Sequence, residues 1–160
     1  MGELEETEEQ IIKESNKCIY IEKQIQINEI LRYYEYETHS EKWGNAKKSS
    51  YIQSIILSYP LSPFLLMEFG ENYVIIDGNE RIKSIIDFVN RNLRVKLKNE
   101  KKSKSIDYDD LSLSRKNKIM RTNLTALVLN ESTDSETLYE IYNSLNVQYD
   151  RMIEEKKASL

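Results

Sequence analysis

Residues 73–86 read YVIIDGNERIKSII, and three kinds of pattern follow one another within this stretch. Residues 73–76 are an unbroken apolar run, which is typical of a strand that has neighbours on both sides in a sheet. Asp77 and Gly78 are residues that favour a turn. From Ile82 onward apolar residues recur at helical spacing, so the stretch predicts a strand, a turn and a helix.

The residues before this stretch predict the partner of its strand. Residues 61–69, LSPFLLMEF, are apolar and end at a Gly-Glu-Asn turn, which predicts a hairpin with the strand that follows. Further upstream, apolar residues at helical spacing predict a helix over residues 50–59. Ser50 and Gln53 have the spacing of a capping box at its start, and Pro60 stops it.

The remainder of the chain contains further short elements of both kinds. Their alternation predicts an α+β fold with a small mixed sheet flanked by helices. A last helix is predicted with a capping box of Thr133 and Glu136. The other predicted elements are a strand in CIYIEKQ, a helix in INEILRYYEY, a strand in LRVKL, a lysine-rich loop in KNEKKSKS, a helix in LSLSRKNKIMRT and a strand in LTALVLN.

Length and composition narrow the class of protein. The 160 residues are 39% hydrophobic and 31% charged, typical of one globular domain. We predict an acidic tail over residues 1–16, a domain over 17–149 and a second tail over 150–160. A single Cys18 excludes an internal disulfide, and a single His39 excludes a metal centre with two histidines. Without a long apolar run or an apolar leader, we expect no membrane association and a cytoplasmic location.

The net charge of −4 hides a basic segment, which we define as residues 91–121. It contains eleven lysines and arginines against four acids, a net charge of +7. Such a block can bind a polyanion, or it can be a solvated loop and an exposed helix face. If the segment binds DNA, the candidate residues are Lys98, Lys101, Lys102, Lys104, Arg115 and Lys116.

The turn DGNER, residues 77–81, is the candidate site for chemistry. The N-terminus of the predicted helix has unpaired N–H groups and a partial positive charge, and Arg81 in its first turn could bind a phosphate. The alternative is a structural turn. Asp77 and Glu80 have the spacing of a capping box, which would use the same N–H groups that a phosphate needs.

Residues 43–95 resemble the DGQQR-type domain of the ParB/sulfiredoxin superfamily. The resemblance lies in a tryptophan, a helix ending at proline, a strand, and DGNER in place of DGQQR; the later LYEIYNSLN resembles another segment of that domain. The family forms the N-terminal part of modification-dependent restriction enzymes and of phosphorothioate-sensing defence proteins. The resemblance implies a ParB/sulfiredoxin-like fold with a nucleotide near the turn.

The residues that this resemblance assigns are named by position. Asp77 and Arg81 are the candidate catalytic residues, and no metal ligand is assigned. The nucleotide-binding candidates are Asp77, Gly78, Asn79, Glu80, Arg81 and Asn146. The implied cofactor is a nucleoside triphosphate with Mg²⁺. The implied partners are the nucleotide, DNA and a separate nuclease subunit. Independently of the resemblance, the chain could also form a homo-oligomer.

Two functions from different classes follow from these observations. The first is a nucleotide-binding module, weakly hydrolysing if it is an enzyme, in a DNA-directed defence or DNA-processing system. The second is a non-enzymatic DNA- or protein-binding module that keeps the fold but has lost nucleotide binding. Asn79 and Glu80 replace two glutamines of the family motif, and Glu80 places a negative charge where a phosphate would lie.

Overall fold

The computed structural model describes residues 2–35, 43–98 and 103–145. Helices and strands both contribute substantially, so the predicted α+β class is confirmed, and the ParB/sulfiredoxin-like assignment stays a prediction. The helices are α1 (Gly2–Ser15), α2 (Ile27–Tyr33), α3 (Asn45–Ile56), α4 (Asn79–Val89), α5 (Leu113–Met120) and α6 (135–145), with a 3₁₀ turn at Tyr108–Asp110. The strands are β1 (Tyr20–Gln26), β2 (Tyr34–Glu35), β3 (Phe64–Phe69), β4 (Asn72–Asp77), β5 (Val95–Lys98), β6 (Ser103–Ile106) and β7 (Asn123–Leu129).

The main sheet has five strands in the order β1-β7-β3-β4-β2. The predicted hairpin is confirmed, because β3 and β4 are antiparallel with Glu68 opposite Tyr73. Gly70 makes the turn with a φ of +61°. On its other side β4 pairs in parallel with β2, where Tyr34 lies opposite Tyr73, so β4 has the interior position that its apolar run predicted. The strands β5 and β6 form a separate antiparallel pair.

Two predicted helix starts are wrong. Helix α3 begins at Asn45 with Gly44 as its N-cap, well before the predicted capping box at Ser50. Its first turns are polar, so the apolar period that guided the prediction is visible only from the middle of the helix. Asp134, not Thr133, caps α6, because its side chain accepts the backbone N–H of Thr137 at 2.8 Å. Aspartate is as good an N-cap as threonine or better, and here it stands one residue nearer the helix.

Two compact units make up the chain. The unit Glu22–Val128 contains a continuous apolar core in which side chains of α3 and α4 pack with those of the strands. Ile52, Ile82 and Phe88 are each 2% exposed or less in this core. A partly buried ion pair joins the two helices, with Nζ of the buried Lys48 2.9 Å from Asp87 Oδ2.

The unit formed by Met1–Ile21 and Leu129–Leu160 contains α1 and α6. The acidic N-terminus is a helix, and the described side chains of α1 are exposed. A hydrogen bond joins the two chain segments of this unit: Asn130 donates its backbone N–H to the carbonyl of Ile19 at 3.0 Å. Among the described residues, no helix has both the length and the apolar character that crossing a membrane requires. The predicted boundaries at residues 17 and 149 stay predictions.

Candidate functional site

The turn between β4 and α4 depends on Gly78. This residue is the N-cap of α4 and has a φ of +125°, a conformation that side chains with a Cβ rarely adopt. A Cβ built at this position would lie 2.2 Å from Cδ1 of Phe64. The space that the absent Cβ of Gly78 leaves is therefore occupied by the ring of Phe64, a core residue at the start of β3.

Arg81 is buried, with 8% of its surface exposed, and its guanidinium is bound to other parts of the fold. Its NH1 group donates to the backbone carbonyls of Ser62 at 2.7 Å and Pro63 at 3.0 Å. Its NH2 group donates to Asp77 Oδ2 at 2.8 Å. The guanidinium carbon also lies 4.5 Å from the centre of the Phe64 ring. Three of the five N–H donors of Arg81 are thus engaged: two fasten α4 to the segment before β3, and one pairs with the last residue of β4.

The predicted capping box of Asp77 and Glu80 is wrong. Asp77 pairs with Arg81, and α4 has no side-chain cap on its first-turn N–H groups. Glu80 instead accepts the backbone N–H of Trp43 at 3.1 Å, which ties the start of the described segment 43–98 to α4. The positive φ of Gly78 moves the N-cap one residue beyond Asp77, so the aspartate cannot act as the cap.

An aromatic pair lies beside this turn. The rings of Trp43 and Tyr51 meet edge to face at 6.0 Å, and Lys47 Nζ lies 4.4 Å from the centre of the Trp43 ring. The hydroxyl of Tyr51 is buried and makes no hydrogen bond with any described residue. Burial raises the pKa of Tyr51 to about 12, against the opposing charge of Arg81, so the phenol is neutral at physiological pH.

The basic segment contains acids of its own, and the structure places three of them beside three of its cations. Arg91 forms a fork of hydrogen bonds with the carboxylate of Asp109, and Lys116 Nζ lies 3.4 Å from the same carboxylate. Arg94 binds Asp107 at 2.9 Å and lies 3.8 Å from Asp110. The hydrogen bond from Arg91 lowers the pKa of Asp109. These exposed contacts neutralise three acids with three cations.

Other cations of the basic segment are exposed and have no carboxylate partner among the described residues. Lys104 and Arg115 were predicted as nucleic-acid contacts, whereas Lys96, Lys118 and Arg121 were not. Arg115, Lys118 and Arg121 are spaced three residues apart, so they are successive neighbours along one side of α5 and its C-cap. This spacing is visible in the sequence. The predicted residue Lys116 lies in the cluster around Asp109.

The remaining predicted residues lie at the end of a described range or outside the described ranges. Lys98 ends β5. Lys101 and Lys102 of the predicted DNA-binding set lie outside the described residues, as do Asn146 of the predicted nucleotide site and His39. Of the predicted nucleotide-binding residues, the structure brings together residues 77–81, because they form one continuous turn.

Comparison of the chain with protein-family models, with curated proteins and with solved structures finds no match.

Proposed function

We propose that this chain is a non-enzymatic DNA-binding module that keeps an α+β fold and binds DNA through its basic segment. The charge that remains after internal pairing is the observation that supports this most. Asp107, Asp109 and Asp110 face Arg91, Arg94 and Lys116. Among the described residues, five further cations of the segment are exposed and have no carboxylate partner: Lys96, Lys104, Arg115, Lys118 and Arg121. Exposed cations without internal partners attract a polyanion, because they neutralise its phosphates and release counterions.

The charge of the surrounding unit supports the same proposal. Glu22–Val128 contains 18 lysines and arginines against 14 acids, a net charge of +4, although the whole chain has a net charge of −4. The unit with the apolar core is therefore basic and the rest of the chain is acidic. A DNA duplex that approaches the basic segment meets a surface with a favourable field, and this field accelerates association at low ionic strength.

The contacts of the DGNER turn support a module without nucleotide chemistry. Arg81 donates to three acceptors inside the fold, and the space beside Gly78 contains the ring of Phe64. Asp77 and Glu80 add two carboxylates beside the first turn of α4, where a triphosphate would need positive charge. The side chains of Asp77, Glu80 and Arg81 thus each have an internal hydrogen bond.

A salt titration tests the proposed function. Fluorescence anisotropy with a labelled duplex of about 20 base pairs should show binding whose affinity falls steeply as salt rises. Replacing Lys101, Lys102 and Lys104 by glutamine should reduce the slope of log K against log salt by about 3. The matched control replaces Lys13, Lys156 and Lys157, which removes the same charge outside the basic segment and should leave the slope unchanged. Absence of binding at low salt, or equal effects of the two triple variants, would contradict the proposal.

A second candidate function is nucleotide binding at the N-terminus of α4, as part of a DNA-directed defence or processing system. It is favoured by the absence of a side-chain cap at Gly78, because uncapped first-turn N–H groups are donors that a phosphate can accept from. Mg²⁺ fits this turn poorly. Asp77 and Glu80 each already use one carboxylate oxygen in an internal hydrogen bond, so the ion would have to share them.

Calorimetry with each of the four nucleoside triphosphates and Mg²⁺ tests this candidate. If a triphosphate binds at α4, Asn79→Asp places a carboxylate at the first helical position and should weaken binding by about tenfold, since like charges repel across a short distance. Asn92→Asp is the control, because Asn92 is exposed and lies beyond the other end of the helix. Failure of all four triphosphates to bind removes the candidate and leaves the DNA-binding proposal in place.

A further inference from the structure

A shallow groove lies between the loop that follows α3 and the start of β7, and its volume is about 240 Å³. Residues 58–61 form one wall, and Thr122, Asn123 and Thr125 form the other. All of these residues belong to the unit Glu22–Val128, which contains the apolar core. Pockets for drug-sized ligands measure roughly 300–1,000 Å³, so this groove suits a smaller group such as a single flat ring system.

Tyr59 is the aromatic residue of this groove, and 58% of its surface is exposed. Its backbone is held at the end of α3, where its N–H donates to the carbonyl of Ser54 at 2.8 Å. The residue before it, Ser58, has a left-handed φ of +59°, as at many helix ends, and Pro60 after it restricts the backbone further. An exposed ring on a fixed backbone is a platform on which a base can stack without first ordering a loop.

The wall opposite Tyr59 contains an amide that is available to a ligand. The two threonine hydroxyls of this wall already have partners: Thr122 donates to the carbonyl of Lys118 at 3.0 Å, and Thr125 accepts from Gln24 at 2.9 Å. Asn123 is exposed, and its side-chain amide makes no hydrogen bond with any described residue. An amide has two donors and an acceptor, which is the combination that binds the edge of a base.

The basic ridge of α5, which we define as Arg115, Lys118 and Arg121, ends beside this groove. Arg121 is the C-cap of α5 and directly precedes Thr122 in the groove wall. With a rise of about 1.5 Å per residue, the ridge extends over about 9 Å. A DNA strand has one phosphate per about 3.4 Å of helix axis, so the three cations match about three consecutive phosphates. A strand whose phosphates follow the ridge therefore brings its next nucleotide to the groove.

We propose, resting on the DNA-binding function above, that the groove binds one unpaired base of a DNA strand whose phosphates lie along the basic ridge. The base stacks on Tyr59 and forms hydrogen bonds with Asn123. Aromatic stacking combined with charge along the backbone is how proteins bind single strands, and it tolerates any base. A base inside an intact duplex must first be unpaired and unstacked, which costs free energy. The chain therefore prefers duplex DNA with a single-stranded overhang to a blunt duplex.

Fluorescence anisotropy at fixed salt tests the base site with three DNA ligands. A duplex of about 20 base pairs with an overhang of about six nucleotides should bind about tenfold more tightly than the same duplex without the overhang. The third ligand has an overhang of abasic nucleotides, which keeps the phosphates and lacks the bases, and it should lose most of this preference. Tyr59→Ala should abolish the preference and leave the affinity for the blunt duplex unchanged, whereas Tyr59→Phe should keep it. Tyr139→Ala is the matched control, because Tyr139 is 66% exposed and lies in α6, outside the groove.

Salt titration of the same ligands tests the path of the phosphates. Lys118→Gln should reduce the slope of log K against log salt by about 1. Lys116→Gln is the matched control in the same helix. It removes the same charge, but its Nζ lies 3.4 Å from the carboxylate of Asp109, so it should change the slope by less than about half as much. Thermal melting checks that every variant is folded.

The outcomes separate this inference from the function on which it rests. Equal affinity for the blunt and overhang duplexes, equally tight binding of the abasic overhang, or an unchanged preference in Tyr59→Ala overturns the base site while DNA binding stands. A slope change in Lys118→Gln no larger than that in Lys116→Gln overturns the path along the ridge. Failure of all three ligands to bind the unaltered chain overturns the DNA-binding proposal itself.

Discussion

Replacing Arg81 by alanine is expected to lower the free energy of unfolding by about 3 kcal/mol, a large fraction of the stability of a domain of this size. The substitution removes three hydrogen bonds, leaves the carbonyls of Ser62 and Pro63 without their donor, and leaves Asp77 without its counter-ion. It also removes the guanidinium from the face of Phe64. Urea denaturation followed by circular dichroism measures the change.

Two further substitutions make this result specific. Arg81→Lys keeps the positive charge but cannot reproduce the planar fork, so it should recover less than half of the loss. Arg115→Ala removes an exposed arginine from α5 and should change the free energy of unfolding by less than about 0.5 kcal/mol. If Arg81→Ala were as mild as Arg115→Ala, the internal contacts of Arg81 would not be stabilising and the guanidinium would be available for a ligand.

Replacing Gly78 by alanine is expected to cost about 3 kcal/mol, from two causes of similar size. The φ of +125° strains any residue with a Cβ, and the new methyl group would overlap the ring of Phe64, whose Cδ1 lies 2.2 Å from the Cβ position. The chain must shift either the turn or the ring to accommodate it. The same denaturation measurement reports the loss.

Gly70 provides a matched control for the first cause. Its φ is also positive, at +61°, but nothing lies within 4 Å of a Cβ built there, so Gly70→Ala should cost about 1 kcal/mol. The difference between the two variants measures the overlap with Phe64. In the background of Phe64→Leu, the cost of Gly78→Ala should fall, because the smaller side chain leaves room. Equal costs for Gly70→Ala and Gly78→Ala would show that the ring moves aside freely.

The elements that sequence reasoning predicted well are those with strong local patterns. The strand, turn and helix of residues 73–86 follow from an apolar run, an Asp-Gly pair and a helical period, and all three are confirmed. The start of α3 was missed because its first residues face outward or form an ion pair, as Lys48 does with Asp87. Asp77 and Ser50 were assigned as caps because each has a Glu or Gln three residues later, as in a capping box. The backbone conformation that decides which residue is the cap cannot be seen in the sequence.

The sequence predicts the turn at residues 77–81, but the interactions of that turn could not be read from the sequence. Two of the acceptors of Arg81 are the backbone carbonyls of residues 62 and 63. Because every residue has a backbone carbonyl, the sequence does not indicate which carbonyls will accept. The partner of Gly78 is an aromatic ring fourteen positions earlier in the chain. The pairing of the basic segment with its own acids similarly depends on the turn at residues 107–110. Long-range geometry supplies this information, and no local motif contains it.

The contact between Arg81 and the two carbonyls has a consequence for how sequences with this turn can diverge. Because backbone atoms accept the hydrogen bonds, the side chains at positions 62 and 63 can drift while the arginine cannot. Gly78 is fixed in the same way by the ring beside it. An Asp-Gly pair followed by arginine can thus persist through selection for folding alone. If the same pattern recurs in other chains, it would then indicate a shared fold and not a shared reaction.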